Sequence, residues 1–202
     1  MMMKSFSVPR IWRTFAALIC TSLLLTACQK DAPQFKNTDI TGASFARELN
    51  LSDQFGKPRT LADFKGKVVV IFFGYTQCPD VCPTTMVEMA NVMKSLGKDA
   101  ERVQVLFVTI DPERDTQELL AAYVPNFDPR FLALRGDVVQ TAKVAQEFKV
   151  VYQKVPGKSN DSYSMDHTAA SYIFDPQGRV RLFVQYGKKA DEIAHDLRLL
   201  LQ

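Results

Sequence analysis

The chain has 202 residues, with 25 lysines and arginines against 22 aspartates and glutamates, which gives a formal net charge of +3. The three excess positive charges, on Lys4, Arg10 and Arg13, all lie within the first 27 residues, so the remainder is formally neutral. A neutral chain without a basic cluster lacks the electrostatic footprint of nucleic-acid binding, and we exclude nucleic acid as a partner.

The N-terminal 27 residues predict a secretory signal peptide, because basic residues without any acid precede a short apolar run. The run ends in a Leu-Thr-Ala-Cys sequence that resembles a bacterial lipobox, in which cleavage leaves Cys28 as a lipid-modified N-terminus. The alternative is an uncleaved transmembrane anchor, but the apolar run is shorter than the roughly 20 residues that cross a bilayer. We therefore expect a lipid anchor on the periplasmic face of a bacterial membrane, a polar tether over residues 28–43, and one domain over 44–202.

The predicted elements that follow alternate between strands and helices. In chain order they are a hairpin within 45–60, a strand at 68–73, a helix from about 82 to 96, a strand at 103–110, a helix at 116–123, a strand at 131–134, a helix at 137–148, a strand at 149–155, a polar loop at 156–166, a hairpin of strands at 169–174 and 180–185, and a helix at 189–201. Their order predicts an α/β, thioredoxin-like fold, with a central mixed sheet flanked by helices and an N-terminal hairpin extension.

Methionines recur at helical spacing in the first predicted helix, at Met86, Met89 and Met93. A methionine stripe can suggest copper ligands, because thioether sulfur binds soft metals. At this spacing, in line with other apolar residues, the stripe is more typical of a helix face packed in the core.

Two cysteines separated by three residues, Cys78 and Cys82, follow the first apolar strand and precede this helix. They are the thiols of the mature domain, because Cys20 would leave with the signal peptide and Cys28 would carry the lipid. Pro83 lacks an N–H and suits a first helical turn, which places the helix start at about Cys82 and Cys78 in the preceding loop. The helix dipole is then expected to lower the pKa of Cys82.

The cysteine pair is compatible with metal binding and with reversible oxidation. Side chains at i and i+4 in a regular helix have Cβ atoms about 5–6 Å apart, whereas a disulfide needs about 3.8 Å, so Cys78 must lie in the turn if the pair oxidises. A purely structural disulfide is a further interpretation. It is disfavoured because a bridge that closes so small a loop removes little chain entropy.

A third metal ligand would have to come from one of two histidines, His167 and His195. His195 lies among acidic residues in the last predicted helix and is interpreted as a surface residue. His167 follows the polar loop and precedes the strand at 169–174, an entry that faces the cysteine turn in a thioredoxin-like fold. Two thiolates and one imidazole favour copper over zinc, because structural zinc normally takes four protein ligands.

Three separated segments of the chain resemble the Sco/SenC family. They are Phe-Gly-Tyr-Thr-Gln-Cys-Pro-Asp-Val-Cys-Pro at 73–83, Ile-Asp-Pro-Glu-Arg-Asp-Thr at 110–116, and Asp-His-Thr at 166–168. The resemblance implies a membrane-tethered, thioredoxin-fold copper-binding protein that assists assembly of the binuclear copper site of cytochrome c oxidase. Many family members are anchored by a transmembrane helix, whereas this chain resembles a lipoprotein. The chain therefore differs from the family pattern in its type of membrane attachment.

Carried over residue by residue, the resemblance puts the copper ligands on Cys78, Cys82 and His167. It puts Asp111 and Asp115 beside the ligands or on a partner surface. The expected cargo is one copper ion per chain, as Cu(I), Cu(II) or both, and the expected partner is the copper-receiving subunit of cytochrome c oxidase or another copper protein.

A second hypothesis is a thiol–disulfide reductase that keeps the cysteines of an apo copper site, or of another extracytoplasmic protein, reduced. Cys78 would attack and Cys82 would resolve the mixed disulfide. Three residues between the cysteines disfavour a general thioredoxin role, since redox motifs of that fold have two. A peroxiredoxin-like peroxidase is the third candidate, and such an enzyme would not require His167.

Overall fold

Ten strands and four α-helices make up the described part of this computed structural model, which comprises residues 33–159 and 162–202. The strands are β1 (Thr38–Asp39), β2 (Leu51–Asp53), β3 (Pro58–Arg59), β4 (Val68–Gly74), β5 (Val103–Thr109), β6 (Leu132–Arg135), β7 (Tyr152–Pro156), β8 (Tyr163–His167), β9 (Ala170–Phe174) and β10 (Val180–Gln185). The helices are α1 (Val81–Leu96), α2 (Gln117–Tyr123), α3 (Val138–Glu147) and α4 (Ala190–Leu200), with short 3₁₀ segments at Leu61–Phe64, Gly97–Arg102 and Val124–Asn126. The predicted signal peptide, Cys20 and Cys28 lie outside the described residues.

Eight of the strands form one mixed sheet in the order β1-β10-β9-β4-β5-β6-β2-β3. Strands β4, β5 and β6 are parallel, and the others pair antiparallel. Because the carboxyl ends of the parallel strands share one edge, the loops that follow β4 and β5 meet there. The fold is therefore α/β with a mixed central sheet, as the sequence predicted.

The apolar runs of β4 and β5 form the middle of the core. Every residue of both strands is buried, so each strand is covered on both faces. Residues Phe35–Gln202 form one compact unit. Within the described ranges, none of the helices combines the length and the apolar character needed to cross a membrane.

Helix α1 has the predicted extent and the predicted buried face. It ends at Gly97, whose positive φ of 59° suits a residue without a Cβ. Met86, Met89 and Met93 are at most 2% exposed and belong to the hydrophobic core. The methionine stripe is therefore core packing, as predicted.

The prediction of a loop over 156–166 is wrong for its second half. Residues from Tyr163 onward form β8, which pairs antiparallel with β7 in a two-stranded ribbon separate from the main sheet. Ser164 and Asp166 are exposed and alternate with the less exposed Tyr163, Met165 and His167, but the segment is short and only Met165 is buried, so its strand signal is weak. Its strand character comes from pairing with β7, in which His167 lies opposite Tyr152.

Helix α3 starts where predicted, and the valines of its first turn face outward. Asp137 and Gln140 form a reciprocal capping box that fixes its start. Val138 and Val139 are 55% and 77% exposed. The buried side chains come one turn later, at Thr141, Val144 and Ala145.

Substitutions at Met86 test the assignment of the stripe to the core. Met86→Ala should lower the free energy of unfolding by about 2–5 kcal/mol, because removing a fully buried side chain leaves a cavity. Met86→Leu nearly conserves volume and should cost less than about 1.5 kcal/mol. Urea unfolding followed by circular dichroism measures both effects. Copper titration of Met86→Leu is the control, and a loss of binding would contradict the packing role.

Candidate metal centre

The two cysteines lie at the edge where the parallel strands end. Cys78 lies in the loop that follows β4, and Cys82 lies in the first turn of α1, as predicted. The backbone N–H of Cys82 donates to the Cys78 sulfur, with N and Sγ 3.4 Å apart. Both are free thiols; Cys78 is partly exposed and Cys82 is buried.

His167 ends β8 and brings a nitrogen to the two sulfurs. Its Nε2 lies 3.6 Å from Cys82 Sγ, and one ligand atom from each of Cys78, Cys82 and His167 lies within 4.8 Å of the others. The other ring nitrogen, Nδ1, lies 3.1 Å from the carbonyl oxygen of Thr168. An imidazole that donates from Nδ1 keeps the lone pair on Nε2, the nitrogen that faces the sulfurs.

This trio is the candidate site for a metal ion. Within residues 33–159 and 162–202, these three side chains form the cluster of His, Cys, Asp or Glu residues whose ligand atoms lie close enough together to hold a metal ion. His195 is not part of it. That residue is half-exposed on α4, with Nδ1 2.9 Å from an oxygen of Asp196.

Burial shifts the pKa of two members of the trio in the absence of a metal. It raises the pKa of the Cys82 thiol, and the neighbouring Cys78 and the Asp115 charge raise it further. The prediction that the helix dipole lowers this pKa is therefore wrong, because desolvation outweighs the dipole at a fully buried sulfur. Burial also lowers the pKa of His167, which keeps the imidazole neutral and ready to ligate. A bound cation would place positive charge beside Cys82 and would thereby stabilise its thiolate form.

Gly74 makes room for the buried sulfur. A Cβ at this position would lie 2.9 Å from Cys82 Sγ and 2.9 Å from a ring carbon of Phe72, closer than such atoms approach. The rings of Phe72 and Tyr75 also flank His167, with centroids 6.3 and 6.1 Å from that of the imidazole. Gly74 was not predicted from the sequence to have a role. A glycine that ends an apolar strand just before a cysteine pair nevertheless indicates that another group approaches the backbone closely there.

Asp115 ties the loop after β5 to the cysteine loop. Its carboxylate accepts hydrogen bonds from the hydroxyls of Thr76 and Thr109, each at 2.6 Å, and from the backbone N–H of Thr76 at 3.1 Å. Asp115 is 0% exposed, and burial raises its pKa against the effect of these donors. Thr76 was missed from the sequence because its partner lies 39 residues away.

Asp111 joins the same loop to β8. One of its oxygens accepts from the hydroxyl of Tyr163 at 2.8 Å, and the other accepts from Nε of Arg114 at 2.5 Å. Asp111 is 1% exposed, so the structure places both predicted aspartates inside the domain rather than on a partner surface. Neither belongs to the trio, and both hold the loops that surround it.

The chain matches a protein-family model and several relatives over most of its length. A family model described as SCO1/SenC matches residues 37–202. The mitochondrial SCO2 homolog of Bos taurus is 36% identical over 153 residues, which are 75% of this chain and 58% of that protein. The chain thus spans about three-fifths of the length of the mitochondrial relatives that it matches.

Solved structures of similar sequence share the fold. The copper-bound ScoI of Bradyrhizobium japonicum is 44% identical, with a TM-score of 0.70 over 76% of this chain and 98% of that chain. The apo Sco1 of Thermus thermophilus is 37% identical, with a TM-score of 0.74 over 83% of this chain and 98% of that chain. These likenesses extend over most of this chain and nearly all of each matched chain.

Alkylation should distinguish the two thiols. A brief reaction of the native, reduced protein with iodoacetamide at pH 8 should label Cys78 at least about tenfold faster than Cys82, because Cys82 is buried and its pKa is raised. Mass spectrometry of the digested protein measures the ratio, and in urea the two rates should converge. Faster labelling of Cys82 in the native protein would mean that the helix dipole outweighs burial.

Proposed function

Because the chain belongs to the SCO1/SenC family, we propose that it is a copper metallochaperone that holds one copper ion through Cys78, Cys82 and His167. The observation that carries the proposal is the convergence of two sulfurs and the Nε2 lone pair within 4.8 Å at one edge of the sheet. These residues come from three separate parts of the fold: the loop after β4, the first turn of α1 and the end of β8. The copper-bound ScoI relative supports the choice of ion.

The donor set favours copper over zinc. Thiolate sulfur selects Cu(I), and two thiolates with one imidazole also suit Cu(II) in a trigonal arrangement. Structural zinc sites take four protein ligands, and the trio has no fourth His, Cys, Asp or Glu within the described residues. A three-ligand site leaves a coordination position through which a ligand of a partner protein enters.

Transfer would proceed by ligand exchange at the exposed side of the site. Cys78 and His167 are partly exposed, whereas Cys82 is buried, so a partner thiolate would reach the ion from the side of Cys78 and His167. The partner we propose is the copper-receiving subunit of cytochrome c oxidase, whose binuclear copper site the family resemblance points to. Exchange between bound states keeps the ion from becoming free.

A thiol–disulfide reductase is the alternative, favoured by the proximity of the two free thiols, whose sulfurs lie within 4.8 Å of each other. The Cys78 thiolate would attack a substrate disulfide and release one substrate thiol. Cys82 would then displace the second thiol, which leaves a Cys78–Cys82 disulfide and a reduced substrate. The raised pKa of Cys82 makes its thiol a poor nucleophile for this second displacement, which favours the chaperone.

We also propose that residues 1–27 are a cleaved signal peptide and that Cys28 carries the lipid which tethers the domain to the periplasmic face of a bacterial membrane. The support is the basic, apolar and Leu-Thr-Ala-Cys order of the N-terminal sequence. The residues between Cys28 and the compact unit that starts at Phe35 would then connect the membrane to the domain.

Copper titration of the reduced domain tests the chaperone. We expect one equivalent per chain, a sulfur-to-metal charge-transfer band with Cu(II), and an affinity at least about 10–100-fold weaker for Cys78→Ser, Cys82→Ser and His167→Ala, because each removes a ligand. His195→Ala is the matched control and should bind as the wild type does. Transfer to an apo copper-site fragment of the oxidase subunit is followed by the acceptor's own absorption. If His167→Ala keeps full affinity while the wild type reduces the oxidised fragment, the reductase is the better function.

Mass spectrometry of the membrane fraction tests the anchor. We expect the mature chain to begin at Cys28 with acyl groups attached, and a Cys28→Ser variant to remain unprocessed, because the lipobox cysteine accepts the lipid before cleavage. A mature protein that retains residues 1–27 in the wild type would contradict the lipoprotein assignment.

A further inference from the structure

We propose that Arg114 is a positioning residue of the metal centre: its guanidinium clasps the β7–β8 ribbon to the loop after β5 and thereby holds His167 against the two thiols. The inference rests on the proposed copper function and deepens it, since it names what keeps the third ligand in place. Arg114 belongs to neither the trio nor the set of residues that contact it.

The position of His167 needs such a clasp because of the element that carries it. The two cysteines are anchored by β4 and α1 in the core, whereas His167 ends a ribbon that forms no hydrogen-bonded pair with the main sheet. An isolated two-stranded hairpin is at best marginally stable in water. Within this ribbon only Met165 is buried, while Tyr152 and Tyr163 are partly buried against the core, so polar contacts also contribute to its placement.

Arg114 makes the polar contacts that fix the far end of β8. Its Nη1 donates to the backbone carbonyl of Tyr163 at 2.8 Å, and its Cζ lies 3.5 Å from the centroid of the Tyr163 ring. Its Nε donates to Asp111, which also accepts from the Tyr163 hydroxyl. Tyr163 is thus held at its carbonyl, its ring and its hydroxyl, at the opposite end of the strand from His167.

The same guanidinium reaches the cysteine loop. Nη1 of Arg114 also donates to the side-chain oxygen of Gln77 at 3.1 Å, and Cζ lies 5.7 Å from the ring centroid of Tyr75. Tyr75 is itself edge-on to His167. One side chain therefore joins the ribbon, the loop after β5 and the loop that carries Cys78.

A second pair of contacts supports the clasp from the ribbon's other strand. Lys154 of β7 forms an ion pair with Glu113, the residue before Arg114, and its Nζ lies 4.8 Å from the Tyr163 ring centroid. This pair is half-exposed on both sides, whereas the Arg114 side chain is 19% exposed and Asp111 is 1% exposed. The buried contacts of Arg114 are thus the stronger link, because surface ion pairs contribute little.

The planar fork of Arg114 cannot be replaced by a lysine ammonium. Three donations in fixed directions and a face stacked on Tyr163 require the guanidinium plane, whereas a lysine supplies one point charge. Arg114→Lys keeps the charge beside the buried Asp111 and removes the fork. It therefore loosens the ribbon without leaving an unpaired carboxylate in the core.

A double-mutant cycle tests the proposal on the reduced, soluble domain. We expect Arg114→Lys to weaken copper affinity about tenfold in the wild-type background and by less than twofold in the His167→Ala background, because its effect passes through the imidazole. Arg130→Lys is the matched control. Arg130 forms a bidentate pair with Asp128 before β6, at the other end of the parallel strands, and its replacement should not change affinity.

Two further measurements report on the position of His167 rather than on affinity. In the metal-free protein, amide hydrogen exchange of β7 and β8 should quicken in Arg114→Lys, whereas exchange of β4 should not change. In the Cu(II) form, the nitrogen hyperfine coupling in the electron paramagnetic resonance spectrum should weaken in Arg114→Lys and persist in Arg130→Lys.

An equal loss of affinity in both backgrounds would overturn the proposal, since Arg114 would then act on the thiols or on the whole fold. Unchanged ribbon exchange in Arg114→Lys would overturn it as well. If the proposed copper function is wrong, a different result is expected: the wild type and His167→Ala would bind copper equally. Hydrogen exchange would still decide whether Arg114 holds the ribbon.

Discussion

Burial of the Cys82 sulfur is the constraint on which the rest of the site depends. The sulfur lies where β4 ends, in space that exists because Gly74 has no side chain. Removal from water raises the pKa of the thiol, so the metal-free protein disfavours a Cys82 thiolate. The neutral imidazole 3.6 Å away offers a lone pair but no positive charge. A soft cation completes the charge balance, which is the physical reason why this pocket suits the proposed copper ion.

Two buried aspartates, Asp111 and Asp115, contribute to the charge balance around the cysteine loop. Asp115 receives hydrogen bonds from two threonines and contributes to the raised pKa of Cys82. Asp111 is neutralised by Arg114, so one of the two carboxylates has a cation and the other has neutral donors. Negative charge beside a cluster of thiols opposes thiolate formation without a metal and favours a cation once it binds. The aspartates therefore act on the site through position and field rather than as ligands.

The ligands come from two parts of the fold with different support. Both thiols are anchored by elements of the hydrophobic core, whereas the imidazole is carried by a ribbon that polar contacts hold in place. A site of this kind suits a protein that must bind an ion and then release it to a partner. Loss of one ligand lowers affinity while the remaining thiols keep the ion bound, and Cys78 lies at the exposed side where a partner ligand would arrive.

Local patterns in the sequence determined much of this protein. Apolar runs, turn residues and proline placement predicted the strands, the extent of α1 and the positions of Cys78 and Cys82, because hydrophobic period and helix starts depend on neighbouring residues. The resemblance and the residue types together pointed to His167. Only the tertiary structure decided the strand character of β8, the outward Val138 and Val139, and the direction of the Cys82 pKa shift. Each of these depends on the depth of burial or on a partner distant in the chain. The contact of Arg114 with Tyr163 joins residues 49 positions apart, so no local pattern in the sequence predicts it.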